Sequence, residues 1–60
     1  MDAKTVEEFI REWYSVNDWL PRQILQLING GVRTKTENDT FYIYDEEWQR
    51  WLTVALKIRR

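Results

Sequence analysis

The sequence predicts a small α+β domain in which two helices, a β-hairpin and a third helix follow one another along the chain. Three patterns predict this order. Two apolar stripes with helical spacing end at a turn-forming cluster and at a Gly-Gly pair, and an alternating segment at residues 32–44 leads into a third stripe. The 60 residues form a single domain, residues 1–60, near the lower size limit for a chain that folds alone. Stability must therefore come from efficient packing or from a partner.

The first helix is predicted to begin at about Val6. Thr5 and Glu8 have the spacing of a capping box, in which the hydroxyl and the carboxylate satisfy free backbone amides. The apolar stripe that follows has the spacing i, i+3, i+4 and i+7 and consists of Val6, Phe9, Ile10 and Trp13. Polar residues at 15–18 predict a turn after it.

The second helix is predicted over about residues 21–29. Asn17 or Asp18 can cap it, and Pro21 is tolerated in its first turn. Gly30-Gly31 is expected to end it, since glycine adopts the left-handed conformation without steric cost. Its buried side is formed by Ile24, Leu25, Leu27 and Ile28. Its outward side chains are Arg22, Gln23, Gln26 and Asn29.

A β-hairpin is predicted from two segments rich in β-branched and aromatic residues, 32–36 and 40–44, joined by a polar loop at 37–39. Alternation places Arg33 and Lys35 together on one face of the first strand. In the second strand the inward residues are expected to be Phe41 and Ile43, with Tyr42 and Tyr44 on the opposite side.

A third helix is predicted to begin after Asp45, which can cap it. Glu46 and Glu47 would lie in its first turn, where the helix dipole favours acids. The expected apolar stripe consists of Trp48, Trp51, Leu52 and Ala55, continuing toward Leu56 or Ile58. The basic residues of its last turns would be Lys57, Arg59 and Arg60.

Composition argues against an enzyme. The chain has no Cys and no His, so disulfides, the usual zinc sites and His-centred catalysis are not expected. Ser15 therefore has no His to activate it, and the acids at 45–47 are explained as helix caps. We expect no catalytic residue, no cofactor and no metal. No apolar run has the length of a membrane span and no secretion signal is recognisable, which favours a cytoplasmic protein.

The charges are segregated along the chain, although the net charge is only −1. Residues 1–18 carry −3, residues 19–36 carry +3, residues 37–47 carry −5 and residues 48–60 carry +4. Such blocks can form a basic face on a neutral protein, or they can be solvated surfaces that pair with one another. The acidic block also leaves open a mimic of nucleic acid, provided that its members converge in space.

The element order, with Pro21-Arg22-Gln23-Ile24 opening the second helix and Gly30-Gly31-Val32 before the hairpin, resembles the winged helix-turn-helix domains of the excisionase-like and MerR-like families. The resemblance covers about residues 5–52 and implies a DNA-binding module of the excisionase or transcription-regulator type. It implies a recognition helix at about 21–29 in the major groove of double-stranded DNA and a wing at 32–44. The implied base contacts come from Arg22, Gln23 and Gln26, with Asn29 on the same helix face, and the phosphate contacts from Arg33 and Lys35.

A protein-interaction module is the alternative. A small phage or mobile-element inhibitor or adaptor could bind a host protein, or form a homodimer, through exposed aromatic rings. The candidate contact residues are Trp19, Tyr42 and Tyr44, with Trp13 or Tyr14 as further possibilities. We expect packing in the core rather than contact with a partner for Trp13, Trp48 and Trp51. The DNA-binding hypothesis depends on the polar side chains of the second helix sharing one surface with Arg33 and Lys35.

Overall fold

The computed structural model describes residues 3–59 and confirms a small α+β fold. Over these residues there are two helices, α1 (Val6–Glu12) and α2 (Pro21–Asn29). The strands are β1 (Trp13–Ser15), β2 (Thr34–Glu37), β3 (Thr40–Asp45) and β4 (Arg50–Lys57). The predicted order of helix, helix, hairpin and helix is wrong, because a short strand separates the two helices and β4 replaces the third helix. Arg60, expected in the last turn of that helix, lies outside the described residues.

The four strands form one antiparallel sheet in the order β1-β4-β3-β2. The predicted hairpin is confirmed as β2 and β3, with Lys35 opposite Tyr42 and Glu37 opposite Thr40. Its first strand begins at Thr34 rather than Val32, so Arg33 directly precedes β2, and its loop is shorter than expected because Glu37 belongs to the strand. The two loop residues, Asn38 and Asp39, both have positive φ (52° and 61°), as the tight turns that match the twist of a hairpin require.

The N-terminus of α1 lies where the sequence predicts it. The Thr5 hydroxyl accepts from the Glu8 amide at 3.2 Å, and the Glu8 carboxylate accepts from the backbone of Lys4. Only part of the predicted stripe is buried. Phe9 is fully buried, whereas Val6 is partly exposed and Ile10 is 50% exposed. The predicted stripe is not buried along its whole length, because α1 ends at Glu12 and the backbone continues as the strand β1.

The cap of α2 differs from the prediction. Neither Asn17 nor Asp18 caps it; both have positive φ and form a turn closed by a bond from the Trp19 amide to the Val16 carbonyl. Leu20 occupies the cap position, and its amide donates to the Gln23 side chain at 3.0 Å. Asn and Asp satisfy backbone amides equally well in turns and in caps, so the residue types alone could not distinguish these roles.

The end of α2 is confirmed at Gly30-Gly31. Gly31 has φ of +88°, and its amide donates to the Ile28 carbonyl at 3.1 Å. The Val32 amide donates to the Leu27 carbonyl at 3.2 Å, which completes the usual pair of bonds at a glycine-terminated helix. The chain leaves α2 in the direction of β2.

The core lies between the two helices and one face of the sheet. The buried residues are Phe9, Trp13, Ile24, Leu25, Phe41, Ile43, Val54 and Ala55. The predicted inward direction of Phe41 and Ile43 is thus confirmed. Trp13, expected in the core, lies edge-on to Phe41 with ring centroids 5.6 Å apart. The opposite face of the sheet has no helix over it among the described residues.

The segment predicted as the third helix is a strand, β4, and a β-bulge explains why its apolar residues have helical spacing. Phe41 pairs with Ala55 and Tyr42 pairs with Thr53, so Val54 is the extra residue on β4. Both Val54 and Ala55 are therefore buried. The extra residue also puts Leu52 and Ala55 on the same face, since they pair with Ile43 and Phe41, and this i, i+3 spacing is one that a helix also gives.

The local contact predicted for Asp45 does form, although no helix follows it. Its Oδ1 atom accepts from the amides of Glu47 and Trp48, at 2.9 and 3.2 Å, and so closes the turn between β3 and β4. Lys57 and Arg59 do not lie in the last turns of a helix of their own. Lys57 pairs with Glu12, the last residue of α1, at 3.8 Å, and Arg59 pairs with Asp39 at 3.0 Å. Over residues 3–59, neither helix is long and apolar enough to cross a lipid bilayer.

Candidate functional site

The sheet surface opposite the helices carries aromatic rings and cations side by side. We call it the aromatic sheet face and define it by Arg33, Lys35, Tyr42, Tyr44 and Trp51. The side chains alternate along β3, so the burial of Phe41 and Ile43 turns Tyr42 and Tyr44 to the other side. Cross-strand pairing adds Lys35 opposite Tyr42 and Trp51 opposite Tyr44.

The cations of this face lie against its rings. The Lys35 Nζ atom is 5.0 Å from the centroid of the Tyr42 ring and 4.7 Å from that of Trp51. The Arg33 guanidinium carbon is 5.0 Å from the Tyr44 ring, and Tyr44 meets Trp51 edge to face at 5.2 Å. Each ring therefore presents a face to a surface cation rather than to the core. The three rings are half-buried, which leaves part of each accessible.

One acid lies among these cations. Glu37 is two residues from Lys35 on β2, and their charged groups are 3.8 Å apart with both side chains partly exposed. A pair of this kind contributes little, on the order of 0–1 kcal/mol, so an anion from solution can compete with it. Two further ion pairs, Lys57–Glu12 and Arg59–Asp39, involve cations outside this face. Arg33 and Lys35 thus give the face a net positive charge.

Four of the residues singled out from the sequence are brought together here, namely Arg33, Lys35, Tyr42 and Tyr44. The two cations are expected from the sequence to contact DNA and the two rings to contact a protein partner, whereas the structure has them in one cluster. Trp51 was missed because it was assigned to the core of a third helix. Its pairing with Tyr44 would have indicated its place, had the segment been interpreted as a strand.

The polar residues of α2 belong to a different surface. Their side chains are exposed on the helical layer, and the aromatic sheet face is turned away from that layer; these residues are Arg22, Gln23, Gln26 and Asn29. The Gln23 oxygen is occupied by the Leu20 amide at 3.0 Å. The expected shared surface of α2 side chains with Arg33 and Lys35 is therefore not formed. An intervening core separates the two sets.

An apolar groove lies at the end of the sheet near α2 and has a volume of about 300 Å³. Its floor and walls are formed by Trp19, Leu27, Val32, Ile43 and Leu52. Its rim is formed by Tyr44, Asp45, Glu46 and Glu47. Two of the three residues predicted to contact a protein, Trp19 and Tyr44, line this groove, while Tyr42 lies only on the aromatic sheet face.

The other aromatic rings are not buried and exposed as predicted. Trp48, expected in the core, is 69% exposed at the tip of the turn before β4, with Arg50 stacked at 5.9 Å. Tyr14 is 66% exposed on β1, at the sheet edge away from β2. Trp13 is buried, and Lys57 lies 5.1 Å from its ring. The prediction for core tryptophans is therefore right for Trp13 and wrong for Trp48.

Among residues 3–59, the acidic side chains form no group of three or more that could hold a metal ion. Comparison with protein-family models, with curated proteins and with solved structures finds no match to this chain.

Proposed function

We propose that this protein is a small nucleic-acid-binding module that uses the aromatic sheet face as its contact surface. The observation that carries the proposal is the contact of Lys35 with two rings and of Arg33 with a third, all on a sheet surface that no helix covers within residues 3–59. Cations that neutralise phosphates supply a large share of the affinity in nucleic-acid complexes. Rings beside them can contact bases.

This proposal retains the class of partner expected from the sequence and places the contact on the sheet. The resemblance to winged-helix domains implies that α2 reads double-stranded DNA and that Arg33 and Lys35 contact phosphate. The two cations keep that role here. Their neighbours, however, are Tyr42, Tyr44 and Trp51 rather than the polar side chains of α2.

Two double variants with the same change in charge test the location of the surface. Arg33→Ala with Lys35→Ala removes two positive charges from the aromatic sheet face. Lys4→Ala with Arg22→Ala removes two from the helical side. The measurement is fluorescence anisotropy of a labelled 20-nucleotide single strand and of a 20-base-pair duplex, each titrated with salt.

We expect the first pair to weaken binding at least ten-fold and to reduce the slope of log K against log salt by about 1.4, since each lost contact with a single strand contributes about 0.7. The second pair should change the affinity less than two-fold. Equal losses for both pairs would mean diffuse attraction without a site. A loss confined to the Arg22 variant would place the contact on α2, as the winged-helix resemblance implies.

A third variant should raise the affinity for nucleic acid instead of lowering it. Glu37→Gln removes the acid that lies 3.8 Å from Lys35 and should strengthen binding two- to five-fold, because Lys35 is then free to bind phosphate. Glu7→Gln, on the exposed surface of α1, is the matched control and should have a smaller effect. If the two variants behave alike, the Lys35 ammonium is not at the contact.

A protein-interaction module is the second candidate function, and the apolar groove favours it. Its walls are apolar, and Glu46 and Glu47 on its rim lie outside the ion pairs found among the described residues. The complementary partner is a peptide segment that combines apolar side chains with Lys or Arg. A peptide of alternating Leu and Lys, added to isotope-labelled protein, should shift the amide signals of Trp19 and Leu27.

The control for this candidate is a peptide in which Leu alternates with Glu. Its acidic residues would be repelled by the rim, so it should cause no shifts in the groove. Shifts spread over the whole protein with either peptide would count against the groove. Shifts that appear on raising the protein concentration alone would identify a second copy of the chain as the occupant, as in the homodimer considered above.

A further inference from the structure

We infer that the nucleic acid bound by the aromatic sheet face is single-stranded, with unpaired bases stacked on Tyr42, Tyr44 and Trp51. The inference rests on the proposed function and adds the class of ligand. Three observations carry it: the width of the surface, the spacing of its rings and the position of its cations.

The surface is too broad to enter a duplex. The major groove of B-DNA is about 12 Å wide and admits a helix or a two-stranded ribbon. The aromatic sheet face extends over β2, β3 and β4, whose outer two backbones are separated by about 10 Å before side chains are added. In a duplex the π faces of the bases are also stacked on one another, so rings on a sheet cannot reach them.

The ring spacing favours bases that are not stacked on each other. Tyr42 and Tyr44 lie two residues apart on one strand, which separates them by about 7 Å. Stacked bases of a duplex strand are spaced by about 3.4 Å. Neighbouring bases must therefore separate before they can occupy both rings, which an unpaired strand can do. Four-stranded sheets with exposed rings bind single strands in this way.

The cations occupy the positions that bases would take. Lys35 lies over the rings of Tyr42 and Trp51, and Arg33 lies over the ring of Tyr44. Both are long side chains at the surface, so each can move from a ring to a neighbouring phosphate. The exchange replaces an exposed cation–π contact with a charge-assisted phosphate contact and a stacked base. In the free protein the cations therefore cover the ring faces, and in the complex the same cations bind phosphate.

The test compares a 20-nucleotide single strand of mixed sequence with the 20-base-pair duplex that contains it, using anisotropy at low salt. We expect the single strand to bind at least ten-fold more tightly than the duplex. Tyr42→Leu with Tyr44→Leu removes the rings and keeps both cations. This variant should lose at least ten-fold in affinity for the single strand and less than two-fold for the duplex.

Two further variants separate stacking from folding. Tyr42→Phe with Tyr44→Phe keeps the rings and should bind the single strand within about three-fold of the parent protein. A leucine variant that loses its cooperative unfolding transition would be replaced by Tyr44→Leu alone, with an expected loss of at least three-fold.

The outcomes distinguish the two proposals. Equal affinity for single strand and duplex, abolished in both by removal of Arg33 and Lys35, would overturn the single-strand inference and leave the proposed function standing. Single-strand binding that the leucine variants do not weaken would also overturn it. No binding to either nucleic acid at low salt would overturn both.

Discussion

The Lys35 ammonium lies 4.7 Å from the ring of Trp51, although the two residues belong to strands that do not pair with each other. The side chain of Lys35 crosses β3 and passes over Tyr42 on the way. It therefore joins three strands of the sheet on the side that has no helix. A cation in this position covers ring surface that would otherwise contact water, and it remains available to an anion.

Removal of the Lys35 side chain should show how much its cation–π contacts and its apolar stem contribute to stability. Lys35→Ala should lower the free energy of unfolding by about 1 kcal/mol, because exposed cation–π contacts contribute roughly 0.5–1 kcal/mol each and the apolar stem also covers the rings. Lys35→Met retains a stem of similar length and should lose less. Urea denaturation followed by tryptophan fluorescence gives the values. Lys4→Ala is the control and should have little effect on stability. If Lys35→Ala has no larger effect than Lys4→Ala, the cation–π contacts of Lys35 do not stabilise the fold.

The turn before β4 should depend on the acceptor at position 45. Asp45→Ala removes both bonds to the amides of Glu47 and Trp48 and should cost about 1 kcal/mol of stability, as the loss of a cap does. Asp45→Asn keeps an acceptor oxygen and should cost less. Hydrogen exchange should accelerate at these two amides in the alanine variant. Unchanged exchange would show that the turn does not need the carboxylate.

A substitution at Gln49 distinguishes the observed strand from a helix at the same residues. Gln49 has φ of 51°, which glycine tolerates at no steric cost. Gln49→Gly should therefore leave stability unchanged or raise it by up to about 1 kcal/mol. In a helix the same change would cost about 1 kcal/mol. Gln26→Gly in α2 is the matched control and should show that cost, so a similar loss at both positions would contradict the turn.

The two glycines after α2 should respond differently to alanine. Gly31 has φ of +88°, so Gly31→Ala should cost about 1–2 kcal/mol through backbone strain, although nothing lies within 4 Å of the added carbon. Gly30 has the helical φ of −79°, and its added carbon would meet backbone oxygens at 3.4 and 3.5 Å, which is ordinary contact. Gly30→Ala should change stability by less than about 0.5 kcal/mol. Thermal unfolding of the two variants measures the difference.

Local structure was predictable from the sequence where a residue pattern favours one backbone conformation far more than any other. The Thr5 cap, the glycine end of α2 and the β2–β3 hairpin depend on residues within a few positions of one another, and all three are confirmed. The position of Arg33 and Lys35 on one side of the extended segment also follows from alternation within that segment, although β2 begins only at Thr34. These features need no knowledge of distant contacts.

The segment after Asp45 was decided only by tertiary structure. Its residues satisfy a helical stripe and a bulged strand almost equally well, and the Asp45 side chain can cap either a helix or a turn. Pairing with β3 decides the matter, because β4 supplies backbone partners to β3 and β1 and buries Val54 and Ala55 at the bulge. Backbone bonds between segments far apart in sequence are not encoded in local spacing.

In the candidate site, too, some features follow from the sequence and others only from the tertiary structure. Sequence alone determined which residues carry positive charge and which carry rings, and it placed Lys35 and Tyr42 in one hairpin. Only the assembled sheet brought Trp51 to them and moved the polar residues of α2 to another surface. The physical reason is that the face of a helix or strand is set by what its apolar side packs against, and that partner is chosen when the whole core forms.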